Sequence, residues 1–361
     1  MFPKNKSFLI FLSFFALSLH ADPLPAQTPE NKTPPAAAPA QKTEAPDIKS
    51  QDWPRLTLEK DGLSLLIALP DPEKGFYRGS RFDHSSMIYE ATVDGTILYG
   101  PWKNGFKRGG GDSVTGPAGE FGMDSPLGYD EAAPGENFIK IGVGHLTRKD
   151  DKKYFFAHGY ALAHPGTWKL EQGENFVEVQ HELPELRGWN YSYTKRITLE
   201  PGKQMAIVYT LKNTGSKTIE TVFYNHNLLT FNQTMVGPAH RFTLPFPITP
   251  LLSRLRDHAQ IQENSILFTD NIVPNKGYYA ELDIPPGFEK GLINTISHQE
   301  SQLSVQLTID YRPGKLVFYA HDKTMCVEPF LNIKLAPGET QTWTDRYQFI
   351  KNDAVASTAG K

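Results

Sequence analysis

The stretch "FYNHNLLTF", Phe223 to Phe231, sets one imidazole inside an apolar, aromatic run. Read as a strand from Glu220 to Leu229, it puts Val222, Tyr224, His226 and Leu228 on one face and Thr221, Phe223, Asn225 and Asn227 on the other. The histidine's face is either core, with the ring bonded to a backbone carbonyl, or the floor of a concave cleft. In "TMCVEPFLNIKLAPGE", Thr324 to Glu339, Met325, Val327, Leu331 and Ile333 alternate onto a packing face. Cys326, Glu328, Phe330 and Asn332 then point the other way. A carboxylate among such neighbours is costly unless it is solvated, paired or employed. The plain alternative is a glutamate on the wet side of a sheet. A third stretch, "FFAHGYALAHPGTWKL", carries His158 before a glycine and Trp168 further on; a loop histidine and a core tryptophan would look the same. An imidazole titrates near neutral pH and burial can raise a carboxyl toward it, so these residue types suit proton transfer.

The elements that must position these groups read as β throughout. Among 361 residues there are 29 glycines, 28 prolines and 12% aromatics, the composition of a turn-rich β-body. Asp61-Gly62 and Asp94-Gly95 sit between short strands, where tight hairpins need positive φ angles. Pro201-Gly202, Pro313-Gly314 and Pro337-Gly338 punctuate further β-branched and aromatic runs. One modest helical candidate is present, "TPLLSRLRDHA", Thr249 to Ala259. The glycine- and acid-rich segment from Gly105 to Gly144 reads as a long surface loop, of the kind that rims a site. Its "RGGGDS" lacks the Gly-Lys-Ser/Thr ending and the following helix of a phosphate cradle. Residues 52–350 are therefore expected to form one all-β domain, a large antiparallel sandwich.

Lys4 and Lys6 followed by "FLIFLSFFALSL" and a small residue at Ala21 predict a signal peptide over residues 1–21, hence an exported protein, periplasmic or secreted. A disordered Pro/Ala-rich linker is expected over 22–51 and a disordered tail over 351–361. Lys+Arg 37 against Asp+Glu 40 gives no electrostatic case for nucleic acid or an anionic membrane. Cys326 is the single cysteine, so no internal disulfide is expected. No His-x-x-x-His or Cys-x-x-Cys spacing and no nucleotide fingerprint occurs, so neither metal nor cofactor is expected.

Three segments carry a family resemblance. "AHGYALAHPGTW" resembles the His-Gly-Phe-Ala…Trp segment of hexose-phosphate mutarotases, and "VFYNHNLLTFN" resembles the Asn-His-x-Tyr-Phe-Asn segment of aldose 1-epimerases. "CVEPFLNIKLAPGETQTWTDRYQF" is similar to the ending of these enzymes. The order His, His, Glu agrees as well, over roughly Arg78 to Phe349. The resemblance is to the galactose mutarotase-like superfamily and implies a large antiparallel β-supersandwich. It implies a cofactor-free isomerase that opens a sugar's hemiacetal ring, with Glu328 as base toward O1–H and His226 as acid toward the ring oxygen. It further implies substrate-binding roles for His158 and Arg81, the latter in "FYRGSRFD". An ion pair with Asp83 is the ordinary alternative for Arg81. On this reading the imidazole and the carboxylate face each other across one cleft, about a pyranose apart. Tyr224, Phe231 and Trp168 could stack on a sugar face or simply fill the core.

The sequence also departs from that pattern. Leu228-Leu229-Thr230-Phe231-Asn232 is offset by one from Tyr-Phe-Asn, and the late sugar-holding aspartate has no clear counterpart near Asp283. Export favours free sugars or oligosaccharides over phosphohexoses. A carbohydrate-binding protein without catalysis is the main rival on the same scaffold, and a polysaccharide lyase a distant third.

Overall fold

Asp-Gly and Pro-Gly turns close many of the hairpins, and Asp61 and Asp94 adopt φ of 51° and 48° with glycine following, as tight turns require. The computed structural model describes Lys49, residues 51–103 and residues 105–352. The expected signal peptide, nearly all of the linker and all of the tail beyond Asn352 lie outside the described residues. Among these residues there are twenty-three strands and no α-helix. The described residues belong to one compact unit.

Four sheets form, with antiparallel pairing throughout. The first joins β1 (Arg55–Lys60), β2 (Leu63–Ala68), β3 (Met87–Val93) and β4 (Thr96–Leu98). A small one joins β6 (Asn137–Lys140), β7 (Gly144–Thr147) and β8 (Ala161–His164). The ten-stranded sheet runs β16 (Ala259–Gln262), β17 (Ser265–Phe268), β14 (His240–Thr243), β19 (Leu292–His298) and β20 (Leu303–Ile309). It continues through β23 (Thr340–Lys351), β12 (Gln204–Asn213), β11 (Tyr191–Glu200), β10 (Phe176–Glu182) and β9 (Thr167–Gln172). The six-stranded sheet runs β15 (Pro250–Ser253), β18 (Tyr278–Leu282), β21 (Lys315–His321), β22 (Thr324–Leu335), β13 (Ile219–Leu228) and β5 (Gly116–Phe121).

The two large sheets face each other. Phe223 of β13 packs on Tyr209 of β12 and Trp343 of β23, with ring centroids 4.9 and 5.0 Å apart. Each such ring stabilises the sandwich by roughly 1.5–3 kcal/mol relative to exposure. The Phe223 side of β13 is therefore the inward one, and the His226 side looks away from this core. A polar seam crosses the interior. Asn225 Nδ2 donates to the Tyr209 hydroxyl (2.8 Å) and to Asp345 Oδ2 (2.6 Å), and the Tyr347 hydroxyl donates to Asn227 Oδ1 (2.6 Å).

Asp345 makes that seam pH-sensitive. Burial raises its carboxyl from 3.8 to about 7, against the opposing bond from Asn225. The folded state thus holds a proton that the unfolded chain has released between about pH 4 and 7, and stability falls as pH rises through that window. Asp345→Asn is expected to raise the melting temperature by a few degrees at pH 8. The gain should shrink below pH 7 and vanish near pH 4. A gain independent of pH would contradict a buried, titrating carboxyl.

Two sequence expectations fail here. Thr249–Ala259 is not helical: Pro250–Ser253 is the edge strand β15, paired to β18 through a bulge, and Ala259 begins β16. Leu251 and Leu252 are exposed, while Leu255 and Ala259 pack partly against the main core. The segment Gly105–Gly144 is not one surface loop either. It contains β5, buried along its whole length beside β13, and β6.

Candidate functional site

The register of β13 against β22 builds the site. The ladder pairs Ile219 with Leu335 through Phe223 with Leu331 and then opens; Leu229 bridges Met325 in the same register. Within the gap β13 pairs on its other edge with β5, and Asn227 Nδ2 spans back to the Val327 carbonyl at 2.8 Å. Carried through the gap, this register sets His226 directly opposite Glu328, on the face turned away from the core. His226 Nδ1 and Glu328 Oε1 lie 2.5 Å apart, with side-chain exposures of 12% and 10%. The two groups are brought together, but in direct contact, not a pyranose apart.

Cys326 lies under the pair, with Sγ 3.4 Å from His226 Nδ1 and 3.5 Å from Glu328 Oε1. Burial, with Glu328 nearby, pushes its thiol well above the usual range, so it remains a neutral donor to the carboxylate. The three ligand atoms lie within 4.8 Å of one another, a trio that sequence spacing did not disclose. Two edges suit a tetrahedral metal shell. The third does not: with metal–N and metal–O bonds near 2.0 Å, ligands sit roughly 3.3 Å apart, and the 2.5 Å contact would have to open. The arrangement is that of a proton-sharing pair.

Aromatic rings frame it. Phe82 stacks on His226 at 6.2 Å and Tyr319, opposite Cys326 on β21, lies 5.3 Å from the same imidazole. One step along the strands, Tyr224 and Phe330 are likewise opposite each other and stack at 4.3 Å. Of the other aromatics, Phe231 is buried in the main core and Trp168 stacks between His84 and His181.

Arg81 is held by three hydrogen bonds, none of them to His226 or Glu328. Nε bonds Glu120 (2.8 Å), Nη1 bonds Asp112 (2.7 Å) and Nη2 bonds the Tyr224 hydroxyl (3.0 Å). Its guanidinium lies over the rings of Phe82 and Phe156. Asp83 is not its partner; that carboxylate is buried with Ser85, Tyr193 and Lys195. His158 sits in the loop that supplies Phe156, against Phe155 at 4.9 Å, and no contact among the described residues ties it to His226 or Glu328.

Glu120 was not legible in the sequence. It lies on β5 opposite Tyr224, fully buried, and bonds Arg81, the Tyr224 hydroxyl (2.7 Å) and Lys140 Nζ (3.1 Å). Burial alone would raise its carboxyl, but Lys140 and Arg81 outweigh it and hold the group below the usual carboxylate range.

No protein-family model matches this chain, and no curated protein matches it in sequence. Solved structures match in shape. A galactose mutarotase related enzyme from Lactobacillus acidophilus is similar with a TM-score of 0.51 at 9% identity, covering 83% of this chain and 98% of that one. A galactose mutarotase-like protein from Clostridium acetobutylicum gives 0.50 at 11%, covering 82% and 94%. A protein from Synechocystis sp. PCC 6803 gives 0.50 at 12%, covering 84% and 97%.

Proposed function

On the galactose mutarotase-like fold that this chain adopts, we propose that the His226–Glu328 pair interconverts the anomers of an aldose. Glu328 takes the O1 proton while protonated His226 delivers one to the ring oxygen, and the bond from C1 to the ring oxygen breaks. Rotation about C1–C2 and reversal of both transfers give the other anomer, returning each group to its starting state. The observation that carries this reading is the cross-strand contact of an imidazole and a carboxylate at 2.5 Å on the outer face of β13 and β22. Nδ1 and Oε1 hold the two groups together, which leaves Nε2 and Oε2 to act on a sugar. O1 and the ring oxygen are both attached to C1, so groups that touch each other can still reach one oxygen each.

Polarimetry on freshly dissolved α-glucose and α-galactose tests the proposal. Purified protein should speed equilibration in proportion to its concentration. A rate equal to that of buffer for every aldose tried would leave the binding reading in its place. Export, which residues 1–21 suggest, would bring the protein to free sugars. N-terminal sequencing of the mature chain should then begin at Asp22. An intact Met1 end on cytosolic protein would overturn export.

A further inference from the structure

The strand β9 ends the ten-stranded sheet, and among the described residues no strand pairs with its outer edge. Five of the six residues of this strand, "TWKLEQ", are exposed. Trp168 and Leu170 stand opposite His181 and Val179, both buried, so theirs is the core face; Leu170 carries it to the edge and is 48% exposed. Thr167, Lys169 and Glu171 alternate onto the other face. Gly173 N–H donates to the Phe176 carbonyl across the hairpin turn at 2.9 Å. Alternation from that bond turns the backbone groups of Glu171 and Lys169 toward β10 and those of Gln172, Leu170 and Trp168 outward. A row of unpaired donors and acceptors beside a half-exposed leucine is a template for another strand.

The charges along this edge select the strand that fits. A two-fold axis through Leu170 pairs Leu170 with Leu170 of a second copy and Trp168 with Gln172, joining outward backbone groups only. The same register sets Lys169 opposite Glu171 on both sides of the axis. Moving the axis by one residue would set Lys169 against Lys169 or Glu171 against Glu171, which repel. Within its own sheet Glu171 faces Glu178, a like charge, and Lys169 reaches Glu182 through an exposed contact of 3.3 Å. A second copy in this register would supply the cation beside Glu171. The opposite edge of the sheet, β16, reads "AQIQ" and has no charge to fix a register. We propose that β9 is the interface of a homodimer, two copies pairing antiparallel about Leu170 into one continuous sheet. A strand this short buries an area at the small end of specific interfaces, so the dimer forms and dissociates with concentration.

Sedimentation velocity on the purified chain across a concentration series tests this. The wild type should shift from monomer to dimer, with weaker association at high salt. Lys169→Glu and Glu171→Lys should each raise the dissociation constant by about tenfold or more, because the two-fold axis counts each change twice. Both positions are exposed, so the fold is kept. Combining the two substitutions swaps the charges and should return the constant to within about threefold of the wild type. Leu170→Pro should abolish the dimer, since proline removes an outward N–H that no ladder bond within the chain uses. A chain that stays monomeric up to about 1 mM overturns the interface. So does a dimer that survives Leu170→Pro, because another surface then builds it. A combined variant no tighter than the single ones removes the register and the proposal with it.

Discussion

Glu328→Gln should lower the rate of anomer equilibration by about 10²–10⁴-fold, the usual contribution of a positioned acid or base, with little change in melting temperature. Glutamine keeps the shape of the side chain and can still accept from His226 Nδ1, so the contact with β13 is retained. What it lacks is a basic oxygen for the O1 proton. The loss belongs in kcat, because a proton transfer is made only in the transition state. His226→Gln should cause a similar loss, and the double variant about the same as either alone, since the two groups act as a unit. A Glu328→Gln enzyme with wild-type kcat would remove the carboxylate from the mechanism. A large drop accompanied by unfolding would instead mark the pair as structural.

The largest expected effect on stability lies one strand away. Glu120→Gln should destabilise the protein by about 3–5 kcal/mol, the cost of breaking a buried ion pair from one side. Arg81 and Lys140 both lean on this one carboxylate, and Lys140 is wholly buried. Without it, burial pushes the Lys140 ammonium further below its ordinary range, a direction it already takes with the partner present. Chemical denaturation should show a lower midpoint with an unchanged slope. Glu120→Gln combined with Lys140→Met should recover part of the loss, because the second cation no longer needs an anion. A change below 1 kcal/mol for Glu120→Gln would mean that water or a shifted side chain replaces the carboxylate.

Alternation along a strand is a local property, so the chain itself dictated much of the site. Period two assigned His226, Tyr224 and Val222 to one face of β13, and Cys326, Glu328 and Phe330 to one face of β22. Asp-Gly and Pro-Gly pairs marked the turns because few other residues supply those backbone angles. Apolar alternation without a sustained helical period gave an all-β body. The strand β5 escaped notice for an equally local reason. "GPAGEF" has neither alternation nor β-branched residues, yet its glycines answer to neighbours distant in the chain. Gly116 has φ of +62°, and a Cβ there would meet the Ile88 carbonyl at 2.4 Å; at Gly119 it would press on Phe223 at 3.0 Å. Glu120 was hidden with it.

Register is the property that no single strand contains. That Phe223 pairs with Leu331, and so His226 with Glu328, follows from how two segments a hundred residues apart slide against each other. A slip of one residue would have turned either group to the opposite face. The tertiary structure also set the separation, bringing His226 Nδ1 to 2.5 Å from Glu328 Oε1. It spent Arg81 on Glu120, Asp112 and Tyr224 and left His158 in its own loop. Sequence determined which groups share a face of each strand. Packing decided which of them meet, because contact energy depends on distances that only the assembled sheets define.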